Sequence, residues 1–183
     1  MRVAAIDIGT NSIRLLVADV SGGSVDGLEL RTVARAGEPC RLGRGLDRTG
    51  TVEAETAEAA AEHAAGFVRR ARALGAEHMV AGATAALRAA TNGNEVAALI
   101  GSRAGLPVRI LTGEEEARLV YRAVVAGFGS GASRNSCVVF DIGGGSTEVV
   151  SGVGDRAGRW VSLPVGSVNL TERFITSNPP SAA

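Results

Sequence analysis

The chain has 183 residues, of which 45% are hydrophobic and 21% charged, a composition typical of a globular protein with one sizeable core or two small ones. Basic and acidic residues balance at 19 each and only 3% of residues are aromatic, so we expect no nucleic acid partner. No run reaches the roughly 20 apolar residues of a membrane span, and the N-terminus lacks a signal-peptide pattern. We therefore expect a cytoplasmic protein with no membrane partner.

The first part of the chain predicts elements in the order β-β-β-α-β-α-β-α. Apolar runs bounded by glycine turns predict strands, and an Ala/Glu/Arg-rich stretch predicts a helix that Thr51 caps and Gly75 ends. The predicted strands are 2–8, 13–20, 28–36, 77–82 and 107–111, with turns at 9–12 and 21–27 and a loop at 37–50. The predicted helices are 51–74, two short ones within 84–104, and 113–127.

A polar, glycine-containing segment at 128–136 predicts a linker between two domains. Beyond it the order of elements starts again, with strands at 137–141, 146–152 and 158–163 and a helix at 166–175. We therefore predict a first domain at 1–127 and the start of a second, related domain at 137–183. Since the second copy stops after its first helix, we expect it to be incomplete.

The same glycine turn occurs at the start of both predicted domains. Residues 4–16 read AAIDIGTNSIRLL and residues 138–150 read VVFDIGGGSTEVV, which places Asp7 over Asp141. Backbone N–H groups in such turns form an anion-binding concavity, and neighbouring hydroxyl and amide groups add donors. The predicted phosphate-binding residues are Gly9, Thr10, Asn11 and Ser12 in the first turn and Gly143, Gly144, Gly145, Ser146 and Thr147 in the second.

Asp7 and Asp141 repel a bound phosphate unless a cation lies between carboxylate and phosphate. Mg²⁺ is commonly held by one or two carboxylates together with water and substrate oxygens. The pattern therefore predicts Asp7 and Asp141 as metal ligands and Mg²⁺ as the cofactor, with a monovalent cation such as K⁺ as a further option.

The paired turns resemble the phosphate-1 and phosphate-2 motifs of the actin, sugar kinase and chaperone-ATPase superfamily. Three further stretches resemble segments of the Ppx/GppA family of exopolyphosphatases and guanosine pentaphosphate phosphohydrolases. They are ATAALRAATNG at 83–93, LTGEEEARLVY at 111–121 and LPVGSVNLTERF at 163–174. The resemblance runs from residue 1 to about 180. It implies an α/β fold of duplicated ribonuclease H-like or actin-like βββαβαβα domains, with the second domain truncated.

The resemblance also implies roles for individual residues. Glu116 corresponds to the catalytic base, with Glu115 as a second acidic group, and Arg88 corresponds to a residue that holds phosphate. Asp141 and Glu148 correspond to residues of metal binding and catalysis. The implied reaction is Mg²⁺-dependent release of the terminal phosphate from polyphosphate or guanosine pentaphosphate, and the implied full-length protein is a homodimer.

Other interpretations stay open at this point. Three acids at 114–116 also suit the first turn of a helix, where the helix dipole favours anions. The chain could be an actin-like or chaperone-like ATP-binding protein, or a non-catalytic phosphate-binding fragment. Asn169 stands where the family usually has arginine, which removes one basic contact. With an incomplete second domain, we expect little activity from the 183-residue chain alone.

Overall fold

The computed structural model describes residues 1–22, 29–128, 136–175, 177 and 179. Contacts within it divide the chain into two compact units, Met1–Ile110 and Leu111–Ala183. The turn predicted at 21–27 and the linker predicted at 128–136 lie mostly outside the described residues. Within the described residues, no helix is long and apolar enough to cross a membrane.

The first unit contains a five-stranded mixed sheet in the order β3-β2-β1-β4-β5. Strands β1 to β3 form an antiparallel meander, while β4 and β5 run parallel to β1. The carboxyl ends of the parallel strands therefore meet at one edge of the sheet, the edge that carries the first glycine turn. The strands are β1 Arg2–Ile8, β2 Ser12–Ser21, β3 Glu29–Pro39, β4 His78–Ala83 and β5 Val108–Ile110.

One face of this sheet is covered by helices rich in alanine. The buried stripe of α2 consists largely of alanines, with Phe67 and Val68 near its end, and packs against Ile6, Ile13 and Leu15 of the sheet. Alternation along β1 buries every second side chain on this face and leaves Asp7 on the other. The helices are α1 Leu46–Thr49, α2 Ala54–Ala73, α3 Ala85–Ala89 and α4 Gly93–Ala104.

The second unit pairs one long helix with a three-stranded antiparallel sheet in the order β6-β7-β8. Its buried core joins Ala117, Tyr121 and Val125 of the helix to Val139 and Val150 of the sheet. Burial raises the pKa of Tyr121 to about 12, and its hydroxyl donates to the carbonyl of Gly154 at 2.9 Å. The elements are α5 Gly113–Phe128, β6 Ser136–Ile142, β7 Thr147–Val153, β8 Arg156–Leu163 and α6 Ser167–Phe174.

Most predicted elements are present, and three predictions need correction. Helix α2 begins at Ala54 after Glu53, and Thr51 is instead bonded through its backbone to the hydroxyl of Thr49. The predicted loop 37–50 contains the end of β3 and the short helix α1. The contact boundary falls after Ile110 rather than within 128–136, because α5 buries its apolar stripe on β6 and β7.

Candidate phosphate and metal site

The first glycine turn is a tight connection between β1 and β2. The N–H of Gly9 donates to the carbonyl of Ser12 at 3.0 Å, which closes the turn. A side chain at position 9 would place its Cβ 3.0 Å from that carbonyl, so only glycine fits without a shift. The Thr10 side chain is nearly buried, whereas Asn11 is exposed at the tip.

The carbonyl groups of this turn are held from behind by residues 40–43. The carbonyl of Thr10 accepts from Gly43 N–H at 2.9 Å, and that of Asn11 accepts from the N–H groups of Cys40 and Arg41 at 2.9 and 3.0 Å. In a trans peptide the C=O and the following N–H point in opposite directions. The N–H of Asn11 therefore points away from residues 40–43, as an anion-binding turn requires.

The backbone conformation of Arg41 allows two neighbouring N–H groups to bond to the same carbonyl. Its φ of 51° makes it the one non-glycine residue with positive φ within the described part of the chain. Successive N–H groups at Cys40 and Arg41 thereby converge on a single oxygen of Asn11, a nest formed around a backbone carbonyl. Cys40 itself is buried, and burial raises the pKa of its thiol, which donates to the Gly9 carbonyl at 3.5 Å.

The second glycine turn has the same closure and the same kind of support. The N–H of Gly143 donates to the carbonyl of Ser146 at 2.9 Å. The carbonyls of Gly143 and Gly144 accept from the N–H groups of Ser167 and Val168, at 2.9 and 2.8 Å. The N–H groups of the next residues therefore point away from the start of α6, again as a donor array.

Asn169 completes this support from the first turn of α6. Its Oδ1 accepts from Gly166 N–H at 2.7 Å, and its Nδ2 donates to the Gly145 carbonyl at 3.3 Å. At Gly166, an added Cβ would lie 2.5 Å from the backbone of Gly144, so the turn and the helix start touch directly. Thr147 donates its hydroxyl hydrogen to the Val165 carbonyl at 2.6 Å, which fastens β7 to the same segment.

Three polar residues form a row across the sheet of the second unit. Strand registers place Asp141 opposite Glu148, and Glu148 opposite Ser162. The Glu148 side chain is buried, with 1% exposed, and its Oε1 accepts a hydrogen bond from the Ser162 hydroxyl at 2.7 Å. The row lies beside the glycine turn and presents two carboxylates from neighbouring strands.

The start of α5 lies against this row. A Cβ at Gly113 would be 2.9 Å from the Cβ of Ser162, so the helix begins in close contact with β8. Thr112 and Glu115 cap the helix reciprocally: Thr112 N–H donates to Glu115 Oε2 at 2.9 Å, and Glu115 N–H donates to Thr112 Oγ1 at 3.2 Å. Glu114 pairs with Arg118 at 2.7 Å.

Glu116, the residue predicted as catalytic base, is half-buried in the first turn of α5. Of the two acids beside it, Glu114 bonds to Arg118 and Glu115 bonds to Thr112, both at the start of α5. The second unit brings Glu116, Asp141 and Glu148 to one end of its sheet.

The first unit gathers the remaining predicted residues at the end of β1. Asp7 precedes the turn on the exposed sheet face, with Arg14 of β2 and Gly82 of β4 as its partners in register. Thr84 N–H donates to the Ile8 carbonyl at 3.2 Å, which brings the start of α3, and with it Arg88, to this edge. Arg88 is half-buried.

The carboxylates of Asp141 and Glu148 could supply part of the ligand shell of a magnesium ion. Within the described residues, no group of three or more His, Cys, Asp or Glu side chains could hold a metal by itself. Asp141 and Glu148 offer two hard oxygen donors on adjacent strands, and Mg²⁺ commonly takes one or two carboxylates and completes its shell with water and phosphate oxygens. The donor set therefore fits Mg²⁺ shared with a phosphate ligand.

Sequence reasoning missed the residues that support each of the two glycine turns and the Glu148 carboxylate. Cys40, Arg41 and Gly43 lie about 30 residues from the turn they support, in a segment predicted as a loop. Ser162 stands in an ordinary strand pattern, and only its register with Glu148 could have pointed to it. The sequence predicts a lost basic contact at Asn169, whereas in the structure its side chain bonds directly to the glycine turn.

Two glycine turns with hydrogen-bonded carbonyls and outward N–H groups, each following a strand that carries an aspartate, are typical of an actin-like fold. The family model of the Ppx/GppA phosphatase family matches residues 16–183. The chain belongs to the Ppx/GppA phosphatase family.

Individual relatives agree with this assignment. Exopolyphosphatase 2 of Mycobacterium tuberculosis is 40% identical across 98% of this chain. The crystal structure of the Aquifex aeolicus Ppx/GppA family member superposes with a TM-score of 0.79 at 35% identity over 99% of the chain. An exopolyphosphatase from Cytophaga hutchinsonii superposes with a TM-score of 0.85 at 25% identity over 95% of the chain. The predicted actin-like α/β fold class is confirmed.

The chain spans only part of these relatives. It covers 57% of the length of the M. tuberculosis protein, 56% of the A. aeolicus structure and 54% of the C. hutchinsonii structure.

Proposed function

We propose that this chain supplies the phosphate- and metal-binding part of a hydrolase that releases the terminal phosphate of inorganic polyphosphate. The observation that carries the proposal is the pair of glycine turns whose carbonyls are bonded to residues 40–43 and 167–169, which directs their N–H groups outward. The 40% identity to a protein named exopolyphosphatase supports polyphosphate as the substrate class.

In the proposed reaction, water attacks the terminal phosphorus and the bond between that phosphorus and the bridging oxygen breaks. The products are orthophosphate and a chain one phosphate shorter. Glu116 accepts the proton of the attacking water, a role open to a half-buried carboxylate beside the polar row. The N–H groups of the two turns and the guanidinium of Arg88 bind phosphate oxygens. Asp141 and Glu148, and in the sequence prediction also Asp7, would hold Mg²⁺, which would supply positive charge next to the phosphate oxygens.

Guanosine pentaphosphate ends in the same kind of phosphoanhydride and is the second candidate substrate within this family. The proposal predicts phosphate release from polyphosphate by the purified chain with Mg²⁺, at a rate below that of a relative of full length. Phosphate release from guanosine pentaphosphate and from ATP, measured in parallel, tests whether the chain also hydrolyses these substrates. Dimerisation of a full-length protein stays a prediction.

The decisive comparison uses Glu116→Gln, which keeps size and removes the base. We expect phosphate release to fall at least 100-fold while polyphosphate binding is retained, since general base catalysis contributes about 10²–10⁴-fold. Binding of polyphosphate with equal rates for the wild-type chain and the variant would favour a non-catalytic phosphate-binding role. Hydrolysis restricted to ATP, together with polymer formation, would favour an actin-like ATPase.

A further inference from the structure

The hydroxyl of Ser162 satisfies a carboxylate that has almost no access to water. Glu148 has 1% of its surface exposed, and the 2.7 Å bond from Ser162 reaches its Oε1. A buried polar group without a hydrogen-bond partner is unfavourable, so this donor satisfies one oxygen of the buried Glu148 side chain. A distance of 2.7 Å is typical of a short bond between a hydroxyl and a carboxylate.

The surroundings of Ser162 restrict where its hydroxyl can lie. Ser162 stands directly opposite Glu148 in the antiparallel register of β7 and β8, so both side chains project from the same face of the sheet. The start of α5 packs onto it, since an added Cβ at Gly113 would lie 3.1 Å from the Ser162 Oγ. The same contact places Ser162 between the helix turn that carries Glu116 and the carboxylate of Glu148.

We propose that Ser162 is a positioning residue for metal binding. Its hydroxyl holds Glu148 Oε1 in a fixed orientation. The Glu148 carboxylate can then bind a metal ion together with Asp141, its neighbour in the polar row. The inference rests on the proposed function, in which Asp141 and Glu148 hold Mg²⁺. Groups that orient a metal ligand typically change metal affinity by about 10–100-fold when they are removed.

The test measures Mn²⁺ binding to the purified chain by electron paramagnetic resonance, with Mn²⁺ as the probe of a magnesium site. Ser162→Ala is expected to weaken Mn²⁺ binding by about 10–100-fold, and Ser162→Cys, a weak donor of similar size, to an intermediate extent. Ser151→Ala is the matched control, because Ser151 also donates from one strand of this sheet to the next, to the Arg159 carbonyl at 3.3 Å, and is not part of the row. Circular dichroism verifies folding of each variant.

A double variant separates positioning from a general structural effect. If Ser162 acts through Glu148, Ser162→Ala causes no further loss of Mn²⁺ affinity in a Glu148→Gln background. Weakened binding in Glu148→Gln with unchanged binding in folded Ser162→Ala would overturn the role of Ser162 and leave the proposed function standing. Absence of Mn²⁺ binding in the wild-type chain would overturn the metal site of the proposed function and the role of Ser162 with it.

Discussion

The side-chain amide of Asn169 donates to the carbonyl of Gly145 at 3.3 Å, which joins the first turn of α6 to the second glycine turn. The same amide group donates to the Pro164 carbonyl at 3.2 Å, and the Asn169 oxygen accepts from Gly166 N–H at 2.7 Å. One short side chain therefore bonds to both sides of the connection between β8 and α6.

Asn169→Ala removes all three bonds, and we expect it to lower the free energy of unfolding by about 1–2 kcal/mol because two of these bonds, to Gly166 N–H and the Gly145 carbonyl, are partly buried. Urea denaturation followed by circular dichroism measures the change. Asn169→Arg tests whether a basic side chain can replace the amide. Asn94→Ala, at an exposed position on α4, is the control and should leave stability within about 0.5 kcal/mol.

Glu115 and Glu116 are neighbours with different expected roles. Glu115→Ala breaks the reciprocal cap with Thr112, and we expect a loss of about 1 kcal/mol in the free energy of unfolding. Glu116→Ala serves as the matched variant and should affect phosphate release far more than Glu115→Ala does. Equal kinetic losses in both variants, at similar stability, would contradict the assignment of the base to Glu116.

Gly43 has no room for a side chain behind the first glycine turn. An added Cβ would overlap the Cγ2 atom of Thr10, a short and nearly buried side chain that cannot swing aside. We expect Gly43→Ala to destabilise the chain by about 1–3 kcal/mol and to weaken phosphate binding, because the Gly43 bond to the Thr10 carbonyl would lengthen.

Gly66 is the matched glycine for this test. It lies inside α2, where an added Cβ would make only an ordinary contact of 3.8 Å with the Arg69 guanidinium. Gly66→Ala should therefore stabilise the chain by up to about 1 kcal/mol. Thermal unfolding of both variants gives opposite signs if the packing behind the turn is as tight as described, and a stabilising Gly43→Ala would show that it is not.

Asp19 makes part of the free energy of unfolding dependent on pH. Arg2 donates to both oxygens of Asp19, at 2.8 and 3.1 Å, and Arg31 adds a bond of 2.7 Å. These bonds, those from Arg2 above all, lower the pKa of Asp19 from its ordinary value of 3.8 to about 2. A carboxyl with a lowered pKa in the folded state contributes stability above pH 3.8 and loses it as the pH falls towards 2.

We therefore expect Asp19→Asn to be less stable than the wild-type chain at pH 5 and above, with a difference that shrinks as the pH falls from about 4 to about 2. Urea midpoints at a series of pH values measure this difference. Glu95→Gln, an exposed carboxylate in the first turn of α4, is the control. A difference between Asp19→Asn and wild type that stays constant down to pH 2 would refute the linkage.

Local patterns predicted most of the fold, since strands and helices here follow apolar periodicity and glycine turns. The repeated DIG turn also predicted where two tight glycine turns with outward N–H groups lie, because a glycine hairpin carries these donors in its own backbone. The supports of those turns could not be predicted in this way. The hydrogen bond from Arg41 to the first turn requires a φ angle of 51°, and the bond from Ser162 to Glu148 requires a particular strand register. Neither the angle nor the register can be read from the residue type.

The domain boundary shows the same limit. The composition of residues 128–136 is that of a linker, yet α5 belongs with the sheet that follows it. A helix with one apolar stripe has the same sequence pattern whichever sheet it covers. Only the contacts of Tyr121 and Val125 with the core of the second unit decide the question.

In the two glycine turns, the carbonyl side of each peptide group stabilises the fold and the N–H side is left for binding a ligand. Their carbonyl oxygens accept hydrogen bonds from residues 40–43 and 167–169 in the folded chain. The conformational entropy of each loop is therefore lost during folding and not during phosphate binding. In the proposed function, an incoming phosphate would therefore meet donors that need no rearrangement, and its affinity would not be reduced by the cost of ordering them. Damage to the carbonyl side of either turn should therefore weaken phosphate binding in addition to lowering stability, as expected for Gly43→Ala.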